Sequence, residues 1–236
     1  MTHFVAIECA IAELRQGRMV VLVDDENREQ EGDLVLAAEK VTPEALNFML
    51  NYARGLICLT VTQEIVERLQ IPLMVERHKQ LNQAMFTTSI EAAQGVSSGV
   101  SVYDRAQTIR VAVDPHSTPE DISMPGHVFP IQARAGGVLE RPGHTEGSVD
   151  LVRLTGLQPA AVICEVMKED GSMARLPDLI EFATRHAIKI VAIHDLIAYR
   201  LQKISIDQQQ VDYISSYIPS STGEDGEIKV YGSSKY

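Results

Sequence analysis

The sequence predicts the α/β class: a single domain in which helices pack around one sheet. Three observations carry that expectation. Short apolar runs alternate with stretches of helical periodicity along most of the chain, the pattern of helices layered on strands. Breakers such as Gly17, Gly55, Pro115, Gly136-Gly137 and Gly156 fall between those segments. The chain has 236 residues, 45% of them hydrophobic, enough for one large core.

Phe4 to Gln16 places Phe4, Ile7, Ile11 and Leu14 at helical spacing, and Gly17 stops it. Met19 to Val23 reads as a buried strand. A second apolar run, Leu34 to Ala38, follows a polar decapeptide. Thr42-Pro43-Glu44 starts the next helix with a capping hydroxyl, a first-turn proline and an acid. Leu46, Met49, Leu50 and Ala53 form its inner face, and Gly55 ends it. Leu56 to Val61 is a strand and Gln63 to Leu69 a short helix. Val75 to Ala84 has no period and reads as a loop. Phe86 to Ile90 reads as a strand, and Tyr103 to Val113 as a helix in which Asp104-Arg105 forms a starting ion pair. Ser117 to Gly126 reads mostly as loop, followed by a strand over Val128 to Ala133. Thr145 to Leu154 is helical, with Thr145 as its cap. Ala161 to Met167, Asp178 to His186, Ile188 to Ile193 and Asp195 to Gln202 complete the alternation as strand, helix, strand and helix. Residues 1–203 form the domain. Residues 204–236 read as a polar tail or linker, rich in Gln, Ser, Asp and Gly up to residue 226.

Composition excludes several functions. The formal net charge of -11 argues against nucleic acid and anionic membranes as partners. The three cysteines, Cys9, Cys58 and Cys164, show no zinc spacing and fit a reduced, cytoplasmic setting. No signal peptide and no membrane-spanning apolar run is visible. P-loop, GxGxxG, GxSxG and HExxH patterns are absent.

Four groups can carry chemistry. The run Asp24-Asp25-Glu26-Asn27-Arg28-Glu29-Gln30-Glu31-Gly32-Asp33 holds six acids and one base between two strands. Carboxylates packed so closely repel one another unless a cation or an arginine neutralises them. The run is either a solvated acidic loop or an oxygen-rich site for Mg²⁺ or Mn²⁺. Arg141-Pro142-Gly143-His144-Thr145 precedes a helix start, where free backbone N–H groups favour an anion. Arg141 offers a fork matched to phosphate and His144 a metal-ligating ring. The plain alternative is a capped helix with an incidental histidine. His127, in Pro125-Gly126-His127, reads as an acid, a base or a packed turn residue. Glu165 lies in an apolar strand, where an unpaired carboxylate is costly. It either faces a cleft at the strand's carboxyl end, as a general base, or pairs with a cation.

Together these segments resemble the 3,4-dihydroxy-2-butanone 4-phosphate synthase family of riboflavin biosynthesis. The acidic decapeptide, Pro-Gly-His-Val-Phe-Pro at 125–130, Arg141-x-Gly-His-Thr-Glu146 and the Cys164-Glu165 strand occur in the family's order, within about residues 8–202. The sequence departs at Met124, where arginine is common, and at Pro142, where some members carry glycine. The resemblance implies a mixed sheet and a lyase converting D-ribulose 5-phosphate to L-3,4-dihydroxy-2-butanone 4-phosphate and formate, through an enediolate stabilised by Mg²⁺ or Mn²⁺. It implies Glu29 and His144 as metal ligands and His127 and Glu165 as the acid/base residues. Arg28, Glu29, Asp33, Arg141, Pro142, Gly143, His144, Thr145 and Glu165 would contact the sugar phosphate. It further implies a homodimer with sites near the subunit interface. Gly223 to Gly232 faintly resembles the opening of a GTP cyclohydrolase II. No cysteine follows Cys164 to bind that enzyme's zinc, so a second activity is not expected.

Overall fold

The computed structural model describes residues 4–24, 28–75 and 83–217, with side chains to residue 206. Asp25 to Asn27, most of the Val75–Ala84 loop and the Gly223–Gly232 segment lie outside the described residues. The chain divides into two units, residues 1–199 and 200–236. The sheet and every candidate residue belong to the first.

Fifteen helices and strands are described, apart from short 3₁₀ turns. They are α1 (Ile7–Arg15), β1 (Val20–Val23), β2 (Gly32–Ala37), α2 (Pro43–Phe48), β3 (Cys58–Val61), α3 (Gln63–Arg68), β4 (Met85–Phe86), β5 (Ile90–Ala92), α4 (Val102–Val113), β6 (Ile122–Gln132), α5 (His144–Thr155), β7 (Ala161–Glu165), α6 (Leu176–His186), β8 (Lys189–Ala192) and α7 (Ile193–Tyr217). A π-helical turn, Met49–Ala53, extends α2 and ends at Arg54 in the left-handed region.

The strands form one mixed sheet in the order β4-β6-β3-β7-β2-β1-β8, with β5 paired to β6. β1–β8 and β3–β6 are parallel; β1–β2, β2–β7, β3–β7, β4–β6 and β5–β6 are antiparallel. Both faces are covered. Leu34, Leu36, Leu59, Val162 and Cys164 point into a core shared with α2, α4 and α6. Val20, Leu22, Val35, Ala161 and Ile163 point into one shared with α1 and α5. Burial on both sides is why these strands are apolar without alternation. The boundaries expected for α1, β1, α3, α4 and α6 hold to within a few residues.

Five expectations need correction. Phe86 to Ile90 is two short strands, β4 and β5, rather than one. β6 begins at Ile122, so His127 lies within a strand and not in a turn. The register against β5 shifts there: Ile90 faces Val128, but Glu91 faces Ser123. Residues 124–127 form the long side of this irregularity, which makes room for Pro125 in a strand. The N-cap of α5 is Gly143, with no side-chain cap, so Thr145 lies inside the helix. Finally, α7 runs to Tyr217 rather than Gln202. Nothing between Gln202 and Pro219 breaks a helix, since that stretch holds no Gly or Pro. Asp104 also differs from expectation. It makes no ion pair with Arg105 among the described residues; it accepts from the Ser97 amide and hydroxyl and the Gly99 amide instead.

Candidate active site

The ends of three neighbouring interior strands, β1, β2 and β7, gather most of the candidate residues along one rim of the sheet. β1 ends there at Val23-Asp24 and β2 begins at Gly32-Asp33. β7 ends at Glu165, and Asp33 and Glu165 are direct antiparallel partners. This places acids separated by more than a hundred residues side by side.

Asp24 organises the acidic loop. Its Oδ2 accepts from the Glu29 amide at 3.0 Å and from Arg28 Nη1 at 2.9 Å. Its Oδ1 accepts from the Glu31 amide at 2.8 Å. Arg28 also donates to Glu29 Oε2 at 2.7 Å. Arg175 donates to the backbone oxygens of Glu29 and Gln30. The two arginines thus supply the neutralisation that such a cluster needs.

The first turn of α5 brings His144 against this loop, its Nδ1 3.9 Å from Glu29 Oε2. Ligand atoms of Asp24, Glu29 and His144 lie within 4.8 Å of one another. His144 Nε2 is buried and has no hydrogen-bond partner among the described residues. Burial holds the imidazole below its usual pKa, against the pull of Asp24 and Glu29. That keeps it neutral, the form that binds metal. Two carboxylates and one neutral imidazole, that of His144, fit a hard divalent ion.

Asp33 is 3% exposed, and its Oδ1 lacks a partner among the described residues. Burial, then the charges of Glu165, Glu31, Glu29 and Asp24, raise its carboxyl well above the usual range. Glu165 Oε2 accepts from the Leu56 amide at 2.8 Å. Its Oε1 takes no hydrogen bond among the described residues, so it is open to a proton. A Cβ on Gly55 would sit 2.4 Å from the Glu165 carbonyl oxygen and 2.6 Å from Oε2. Only glycine lets the two backbones approach this closely.

Arg141 is buried and pairs with Glu146 Oε2 at 2.6 Å through Nη1. Glu146 Oε1 accepts from the Arg134 amide at 3.1 Å. The guanidinium is thereby fixed beside the start of α5, where Gly143 and Thr145 are also buried and Pro142 is exposed.

His127 stands apart. It lies on β6, which β3 and β7 separate from β2. Two inter-strand steps to Glu165 on β7 and three to Asp33 on β2 amount to roughly 10 Å and roughly 14 Å. Its Nδ1 instead meets Glu91 Oε2 at 2.7 Å. The structure therefore groups Arg28, Glu29, Asp33, His144 and Glu165 along one rim, with Arg141 at the adjoining helix start, and leaves His127 outside.

Three contributors escaped the sequence reading. Asp24 lay in the acidic run, but spacing cannot say which of six acids turns inward. Glu146 stood in a quoted motif without a role. Glu91 had one faint signal, an acid between the apolar residues Ile90 and Ala92.

Residues 8–199 match the family described as 3,4-dihydroxy-2-butanone 4-phosphate synthase. The riboflavin biosynthesis protein RibBA of Aquifex aeolicus is 53% identical over 222 residues, covering 93% of this chain and 54% of that protein. The 3,4-dihydroxy-2-butanone 4-phosphate synthase of Tolumonas auensis is 50% identical over 196 residues, covering 83% of this chain and 90% of its own. A crystal structure of a 3,4-dihydroxy-2-butanone 4-phosphate synthase in complex with two magnesium ions matches with a TM-score of 0.80 at 38% identity, covering 84% of this chain and 98% of that one. The chain spans about half the length of several relatives: 54% of the Aquifex protein, 40% of a Synechocystis RibBA and 57% of a Neisseria meningitidis synthase. Profile, identity and fold agree, and the chain belongs to the 3,4-dihydroxy-2-butanone 4-phosphate synthase family.

Proposed function

We propose that this chain is a lyase that converts D-ribulose 5-phosphate to L-3,4-dihydroxy-2-butanone 4-phosphate and formate. The observation that carries this reading is the group formed by Asp24, Glu29 and His144, with Glu165 and Asp33 on adjoining strand ends. Glu29 and His144, joined by Asp24, would hold Mg²⁺ or Mn²⁺. A bound divalent ion supplies the positive charge that stabilises an enediolate.

The protein's own groups do the rest. Glu165 Oε1 is open to take a proton from carbon, while the Leu56 amide fixes Oε2. Burial and the neighbouring acids push the Asp33 carboxyl toward its protonated form, in which it would donate a hydrogen bond to a sugar oxygen. Arg28 reaches the sugar from its place beside Asp24 and Glu29. Arg141, Pro142, Gly143 and Thr145 flank the start of α5, where the phosphate is held by guanidinium and backbone N–H groups.

His127 is too far along the sheet to reach this centre on its own chain, since proton transfer needs about 2.6–3.2 Å. In this reading the active form is a homodimer, and His127 of one copy serves the site of the other. The setting is cytoplasmic, consistent with three free cysteines. Among the described residues, no helix is long and apolar enough to cross a membrane.

The test is incubation with ribulose 5-phosphate and Mg²⁺, followed by assay of formate and the four-carbon phosphate. Equimolar release of both is expected. Conversion to an isomeric pentose phosphate without formate would replace this reading with that of a metal-dependent sugar-phosphate isomerase.

A further inference from the structure

We infer that Glu91 is the positioning residue that fixes the tautomer of His127, so that Nε2 is the ring atom that exchanges protons. This rests on the reading of His127 as an acid/base residue. The irregular pairing of β5 and β6 is what brings the two together. The register shift between Ile90 and Glu91 returns the chain at His127 over β5. His127 Nδ1 then lies 2.7 Å from Glu91 Oε2. The pair is built inward from an open end: the His127 side chain is 48% exposed and that of Glu91 only 12%.

The hydrogen bonds behind Glu91 give the pair a direction. The Ala92 amide donates to Thr108 Oγ1 at 3.0 Å. A hydroxyl that accepts there has its proton free, and Thr108 Oγ1 donates it to Glu91 Oε1 at 2.8 Å. An ionised carboxylate offers only acceptors, so Oε2 must receive the proton of Nδ1. The ring is thereby committed to Nδ1–H, and the Nε2 lone pair remains at the exposed end. The 94–101 loop closes over the pair at Gly99, whose φ is +83°. A Cβ there would stand 1.9 Å from Glu91 Oε2 and 2.4 Å from His127 Nδ1. Asp104 anchors that loop through the Ser97 and Gly99 amides. Every part of this arrangement shields the inner bond, and the outer nitrogen has no hydrogen bond among the described residues.

Glu91→Gln tests this at constant volume. The glutamine carbonyl keeps the Thr108 proton, so the amide NH₂ turns to Nδ1. Nδ1 must then accept, the proton moves to Nε2, and the outer lone pair is lost. Nitrogen-15 spectra of imidazole-labelled protein at alkaline pH read this directly. The wild-type His127 should show Nδ1–H, and Glu91→Gln should show Nε2–H. The variant's kcat should fall about 10²–10⁴-fold with little change in KM. Wild-type protein with the proton on Nε2 overturns the proposal, and so does the same tautomer in both proteins. A reversed tautomer with unchanged kcat would also overturn it, as Nε2 would then have no part in turnover. The wild-type spectrum needs neither a folded variant nor turnover. A failed lyase assay with Nδ1–H in place would therefore count against the proposed reaction and not against the role of Glu91 on the ring.

Discussion

Asp33 shows how a strand register sets chemistry at a single residue. Its partner on β7 is Glu165, and three further acids act on it through space. Burial and these like charges raise its carboxyl well above the ordinary 3.8. In the unfolded chain Asp33 ionises at its ordinary value, while the folded chain releases the proton only at higher pH. The folded state therefore gains from Asp33 at low pH and loses that gain as pH rises from 3.8 through the folded value. Asp33→Asn removes the titration. In metal-free protein it should raise the thermal midpoint relative to wild type, and by more at pH 8 than at pH 5. Each kcal/mol corresponds to roughly 2–4 °C for a chain of this size. A difference that stays flat or shrinks with pH would show that Asp33 is not protonated by its neighbours. At this scale the sequence was informative about residue types and silent about direction. Six acids in one decapeptide announce a cluster, yet only the fold selects Asp24 to bond Arg28, Glu29 and Glu31. The Glu91–His127 bond joins positions 36 apart, across a register shift that no local pattern encodes.

Elements were legible where burial and breakers act locally. Gly17, Thr42-Pro43 and Gly156 mark helix ends through their own backbone and capping chemistry: Thr42 accepts from the Ala45 amide, and Gly156 takes φ 82°. Reading failed where tertiary pairing overrides composition. Ile122 to His127 holds Pro and Gly and looks like a loop, but β5 pairs with it. The polar stretch after Gln202 has little to bury, yet nothing in it interrupts backbone hydrogen bonds, and α7 continues to Tyr217. Gly55, the residue after the left-handed end of the π-helical turn, ties an element boundary to the site. Gly55→Ala would push a methyl into the backbone of Glu165 and its Oε2. Overpacking of this kind costs about 1–3 kcal/mol. The thermal midpoint should fall by roughly 2–12 °C. Displacement of the Glu165 carboxylate should lower formate release by about 10²-fold. Unchanged turnover in a folded Gly55→Ala protein would mean that Glu165 need not be held by the Leu56 amide.

At the scale of the whole molecule, the sheet order separates two halves of the proposed chemistry. The acidic rim lies on β1, β2 and β7, and His127 lies on β6. Two inactive chains should therefore complement each other. When Glu29→Gln and His127→Asn chains are unfolded together and refolded at equal amounts, half the dimers are hybrids with one intact site each. Formate release should return to about a quarter of the wild-type value. No recovery would place both residues in one chain's site. A divalent ion held by Asp24, Glu29 and His144 should support the release of formate from ribulose 5-phosphate. Removing the ion with EDTA, dialysing, and titrating Mg²⁺ or Mn²⁺ back while formate is measured checks this. The wild-type chain should lose its activity and regain it with the ion, and His144→Asn should neither bind Mn²⁺ tightly nor recover. Formate released at the full rate by the chelated, metal-free chain would mean that the reaction needs no ion at Asp24, Glu29 and His144.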